Sequence, residues 1–163
     1  MFEYILNIFR KQLPINFVNK KLRSEGIETH FKNENILSFN LCDSDWDLFC
    51  DEKRFGLSQS YKIDDDLDKE CVLKAANKIN SQKWITKVYI TESSNYGDEG
   101  KKDKEPLPFI VFIFDGFYDS KSQFMDLYEY AKYAIIDAYN HFWTDYYGFL
   151  NLKEKESESS THP

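Results

Sequence analysis

The run Leu107-Pro108-Phe109-Ile110-Val111-Phe112-Ile113-Phe114 is apolar at every position, and no other stretch restricts the fold as strongly. It is far shorter than the ~20 residues of a membrane-spanning helix. Its β-branched and aromatic side chains favour a strand over a buried helical segment. A strand that is apolar on both faces has to lie inside a sheet with shelter on two sides. With helices on one side only, the other side keeps an apolar strip: Ile110, Phe112 and Phe114, or their alternates Phe109, Val111 and Ile113, beside Ile85 and Tyr89. Strips of that kind mark partner surfaces, so Ile85, Tyr89, Ile110, Phe112 and Phe114 are the candidate partner-binding residues. An additional helix at the N-terminus is the competing cover for the same strip.

The remaining periodicities place elements around this strand. Phe2, Ile5, Leu6, Phe9 and Leu13 fall at helical spacing before Pro14. Ile15, Val18 and Leu22 form a second helical stripe that ends at Gly26, a residue suited to a left-handed cap. Alternation then predicts a meander: Leu37, Phe39 and Leu41, a turn at Asp43-Ser44-Asp45, then Trp46, Leu48 and Cys50, then Phe55, Leu57, Tyr61 and Ile63. Asp64-Asp65-Asp66 suits the start of a helix carrying Val72, Ala75, Ala76 and Ile79. Residues 84–91 predict a fourth strand with Trp84, Val88 and Ile90 inward and Ile85, Lys87 and Tyr89 outward. Residues 92–106 predict a long loop. Ser120-Lys121-Ser122-Gln123 has the form of a capping box and opens a long helix with Phe124, Leu127, Tyr128, Ala131, Ile135, Ala138 and Phe142 on one side. From Ser120 to Leu150 that helix would extend about 45 Å, more than one domain of this size covers, so it bends, breaks or reaches a second subunit. Tyr139, Trp143, Tyr146 and Tyr147 are the candidate dimer-interface residues. The Lys/Glu/Ser-rich residues 151–163 predict a disordered polar tail after a single domain at 1–150.

Charge narrows the function classes. At 163 residues and a formal net charge of −7, the chain lacks the basic surface that nucleic-acid binding requires. The N-terminal residues lack the form of a secretion signal, which predicts a cytoplasmic protein with no membrane span. Cys42, Cys50 and Cys71 fit reduced core thiols, with Cys42 and Cys50 as possible neighbours across the first hairpin.

The fold expected from these elements is α+β: a mostly antiparallel five-stranded sheet packed on one side by helices, with an extra N-terminal helix. The order helix, three strands, helix, two strands, helix resembles the sensory-transduction-regulator family, the YbjN family. The residues that carry the resemblance are Leu22-Arg23-Ser24-Glu25-Gly26-Ile27, Ile36-Leu37-Ser38-Phe39, Ala75-Ala76-Asn77-Lys78-Ile79-Asn80 and Lys87-Val88-Tyr89. The resemblance covers residues 15–145. The helix at 2–13, the loop at 92–106 and the length of the final helix depart from the family pattern. It implies a type III secretion chaperone-like fold and a protein-interaction or chaperone-like role, often as a homodimer, and it supplies no catalytic residues.

Catalytic chemistry has one candidate. Asp137, His141 and Asp145 lie at i, i+4, i+8 on the final helix, so an imidazole sits between two carboxylates as in a general base or half of a metal site. No further metal ligand is identifiable, and Asp64, Asp65, Asp66 and Asp68 lack the spacing of a calcium loop. The reading is a non-enzymatic module for a protein or peptide partner, without cofactor or metal. The alternatives are an immunity-type inhibitor whose acidic surface neutralises a basic toxin and, more remotely, a hydrolase-like enzyme using His141.

Overall fold

The computed structural model describes residues 14–64, 66–83, 86–93 and 107–159. Helix α1 (Pro14–Ser24) leads into four strands, β1 (Thr29–Asn33), β2 (Ile36–Leu41), β3 (Ser44–Cys50) and β4 (Arg54–Lys62). Helix α2 (Lys69–Gln82), β5 (Thr86–Ser93), β6 (Leu107–Phe117) and helix α3 (Lys121–Ser159) follow. All strand pairings are antiparallel, in the order β1-β2-β3-β4-β6-β5. The sheet therefore has six strands rather than five; the additional one is β1, a largely exposed edge strand. The expected helix at 2–13 lies outside the described residues, as does most of the 92–106 loop.

Local chemistry sets the boundaries. Gly26 has φ +80° and ends α1, with Ile27 N–H donating to the Leu22 carbonyl at 3.0 Å and Gly26 N–H to that of Arg23 at 3.1 Å. This is a Schellman arrangement, in which the backward bonds satisfy otherwise orphaned carbonyls. The β2–β3 turn is Cys42-Asp43, one residue earlier than expected. Both residues have positive φ (53° and 58°) between the paired Leu41 and Ser44, as a two-residue hairpin loop requires. Cys42 is therefore exposed at one end of the hairpin while Cys50 is buried at the other, so the two thiols are not neighbours. Helix α2 is capped by Asp68, whose Oδ1 accepts from Cys71 N–H at 3.0 Å, and not by Asp64 or Asp66. The chain first makes a turn in which Leu67 N–H donates to Asp64 O at 3.1 Å.

Helix α1 packs near β1 and β3, α2 near β5, and α3 lies between them across β4, β5 and β6. The seven buried residues Phe124, Tyr128, Ala131, Ile135, Ala138, Phe142 and Tyr146 recur every three or four positions along α3. Its aromatic rings meet those of the sheet edge-on: Phe124 on Phe55 at 5.4 Å and Phe142 on Phe112 at 5.7 Å between centroids. The helix runs 39 residues, about 58 Å, and includes most of the segment expected to be disordered. Lys153 holds its end, with Nζ 2.7 Å from Asp68 Oδ2 and 3.2 Å from Glu70 Oε2 at the start of α2.

Candidate functional site: the open face of the sheet

Residue pairing across the six strands determines which side chains share the face away from the helices. One row reads His30, Ser38, Asp47, Ser58, Ile113, Lys87 from β1 to β5. The next reads Asn40, Asp45, Ser60, Val111, Tyr89 from β2 to β5. The face thus has two halves. Over β1 to β4 these rows are polar, and over β6 the face is apolar, with Phe109, Val111 and Ile113 half-buried; β5 adds Tyr89, 53% exposed, beside Lys87.

This assignment corrects the expected partner set. Ile110, Phe112 and Phe114 are 1%, 0% and 3% exposed because they pair with Tyr61, Gln59 and Leu57 on the helix side. Their alternates Phe109, Val111 and Ile113 take the open face. Tyr89 lies there as expected, and Ile85 falls outside the described residues. The sequence contained the signal, since β4 has one apolar and one polar face, but the pairing partner of β6 had to be known before the choice could be made.

The polar half is organised around Asp47. Its Oδ1 accepts from the Ser38 hydroxyl, and its Oδ2 lies 2.8 Å from Lys32 Nζ. Asp45 Oδ1 accepts from the Asn40 amide at 3.2 Å. A concavity of about 790 Å³ runs over this region and onto Phe109 and Val111. Three carboxylates line it, Glu28, Asp45 and Asp47, against one ammonium, Lys32. Neither Glu28 nor Asp45 has an ion-pair partner among the described residues. His30, Ser38 and Asp47 are neighbours in register, yet the serine hydroxyl bonds directly to the carboxylate and Ser38 is 4% exposed. A nucleophile needs the hydroxyl on the imidazole and open to substrate, so this trio acts as a polar lining. Gly56 permits the close packing beside it, where a Cβ would come within 3.1 Å of Asp115 Oδ1 and 3.6 Å of Phe49 Cβ.

No family model matches the chain, and no curated protein matches it. Among solved structures it matches the crystal structure of YbjN, "a putative transcription regulator from E. coli", with 15% identity, a TM-score of 0.49, and coverage of 78% of this chain and 92% of that one. In fold, the chain is similar to YbjN. The likeness to YbjN is one of backbone.

The other candidate residues resolve differently. Of the expected dimer contacts, Tyr146 is buried and its Oη accepts from Asp68 N–H at 3.1 Å. Tyr139 stacks on Tyr61 at 4.5 Å, and Trp143 packs edge-on against Phe142 at 5.2 Å. Tyr146 thus belongs to the internal core of one chain, and Tyr139 and Trp143 are partly buried against that core. Tyr147 remains 56% exposed, as do Tyr130 at 53% and Tyr133 at 70% on the same helix. His141 Nδ1 lies 2.8 Å from its own helix's Asp137 carbonyl and 3.3 Å from Asp137 Oδ1. Lys83 pairs with Asp137 and holds its carboxyl below the ordinary range, while Asp145 turns to Lys78 Nζ at 2.6 Å. Among the described residues, no group of three or more His, Cys, Asp and Glu is placed to hold a metal ion. The buried thiol of Cys50, 3.1 Å from Tyr118 Oη, is pushed up by desolvation, and burial raises the Tyr61 phenol to about 12. No helix among the described residues is long and apolar enough to cross a membrane.

Proposed function

We propose that the chain is a non-enzymatic module that binds a protein or peptide partner through the open face of its sheet. One observation carries this reading. The described helices pack on one side, and on the other Phe109, Val111, Ile113 and Tyr89 form a continuous apolar strip at the edge of a concavity. Water in contact with such a strip is released when a partner covers it, and strips rimmed by polar groups are characteristic of partner surfaces. Asp47 is engaged by Ser38 and Lys32 and Asp45 by Asn40, and Asp137 and Asp145 are held by Lys83 and Lys78, an arrangement that favours recognition over proton transfer.

The test is affinity capture from the native cell with the unmodified protein and with Val111→Asp, quantified by mass spectrometry after circular dichroism has shown that both fold. A specific partner enriched by the unmodified protein is expected to be lost with Val111→Asp. Equal enrichment by both proteins would refute the open face as the binding surface.

A further inference from the structure

The open face is chemically divided, and the division specifies what it accepts. Its apolar half is Phe109, Val111 and Ile113 with Tyr89, and its polar half carries Glu28 and Asp45 without ion-pair partners among the described residues, beside the neutralised Asp47–Lys32 pair. An apolar segment alone would leave those carboxylates facing it, and stripping water from an unpaired carboxylate is unfavourable. An acidic segment would be repelled. The net charge of −7 extends the same preference over the whole chain.

We propose that the face binds an extended peptide segment in which a Lys or Arg lies on the same side as an apolar residue two positions away, the basic group on Asp45 and Glu28 and the apolar group on Val111 and Phe109. The proposal rests on the open-face reading above and names the partner's chemistry. Asp45 and Val111 lie in one cross-strand row on β3 and β6, separated by β4, so two interstrand steps of ~4.8 Å place them about 10 Å apart. Residues i and i+2 of an extended chain lie on one side about 7 Å apart, and the long stem of Lys or Arg covers the remainder while lying on apolar surface. Entry along the β5 edge as a seventh strand is disfavoured at its centre, because the Asn80 side chain bonds both backbone groups of Val88 at 2.8 Å. Lys32 is a built-in competitor for the basic group, since its ammonium stands 2.8 Å from Asp47 Oδ2 within the same concavity.

The probe is a labelled synthetic peptide alternating Lys and Leu on one side with Ser and Thr on the other, measured by fluorescence anisotropy beside a counterpart with Glu in place of Lys. The Lys peptide is expected to bind, to weaken about fivefold with the double variant Glu28→Gln, Asp45→Asn, and to weaken further as salt rises from about 0.05 M to about 0.5 M. Lys32→Met is expected to tighten binding, a gain that a purely structural role for Lys32 would not produce. Equal binding of the Lys and Glu peptides, or no effect of the double variant, overturns the proposed chemistry. Where Val111→Asp still abolishes capture of a cellular partner, that failure leaves the open-face reading standing; where Val111→Asp changes nothing, both fall.

Discussion

Asn80, near the end of α2, pairs with the backbone of Val88 on the edge strand: its amide nitrogen donates to the Val88 carbonyl and its side-chain oxygen accepts from the Val88 N–H, each at 2.8 Å. A side chain here does what a neighbouring strand would do, and the sheet edge is closed at its centre. Edge strands with unpaired backbone groups are templates for association with another chain. Lys87 reinforces the closure by reaching the Asn80 and Lys83 carbonyls, both at 3.1 Å.

Asn80→Ala should therefore cost about 1–3 kcal/mol, the usual penalty for orphaning partly buried polar groups. Urea denaturation measures that loss, and amide hydrogen exchange should report faster exchange at Val88. Size-exclusion chromatography at increasing concentration should show self-association beyond that of the unmodified protein. Unchanged exchange at Val88 would mean that the pairing contributes nothing.

The two faces of β6 separate in energy. Phe112 is fully buried against Tyr61, Tyr139 and Phe142, so Phe112→Ala should destabilise by about 3–5 kcal/mol through lost burial and an unfilled cavity. Val111, next in sequence but on the open face, should tolerate Val111→Ser at about 1 kcal/mol or less. Equal losses for the two variants in chemical denaturation would contradict the facing of the strand.

That contrast also shows where sequence reading succeeds and where it stops. The two-sided hydrophobicity of Leu107–Phe114 locates an interior strand, and β6 does lie between β4 and β5. Alternation within one strand is symmetric under exchange of its faces, so only the pairing with Leu57, Gln59 and Tyr61 decides which residues are buried. Strand β1 escaped notice because Thr29-His30-Phe31-Lys32-Asn33 is mostly exposed at the sheet edge and has no buried face to impose a period. The helical end of α3 was equally hidden: apart from Leu152 its residues are polar, and what supports them is a pair of carboxylates at the start of α2, far away in sequence.

That support is visible to titration. The hydrogen bond from Lys153 holds the Asp68 carboxyl well below the ordinary range, at about 2, with help from Cys71 N–H, and Lys153 itself is raised to about 12. A folded-state pKa below the unfolded value of ~3.9 stabilises the fold at neutral pH. That contribution is lost as pH falls from about 4 through about 2. Carboxyl NMR should give the low Asp68 pKa in the unmodified protein and a higher one in Lys153→Met, where only the cap bond remains. Amides 153–159 should also exchange faster in the variant; protection equal to that of the unmodified protein would show that the helix end stands without its anchor.

The His141 group makes the opposite prediction. An imidazole acting as a general base needs a carboxylate committed to orienting it and a site that shields the reacting atoms. Here Asp137 is committed to Lys83 and Asp145 to Lys78, while His141 is exposed on the helix surface and bonded to a backbone carbonyl. Removing the ring should thus leave both ion pairs in place, and His141→Ala should change stability by no more than about 0.5 kcal/mol. Equimolar zinc should leave the amide spectrum of residues 137–145 unmoved, because the Asp137 carboxylate beside the imidazole is paired with Lys83 and Asp145 is turned to Lys78. A zinc-induced rise in melting temperature that His141→Ala removes would instead mean that the lysines give way and that the three side chains act as one site.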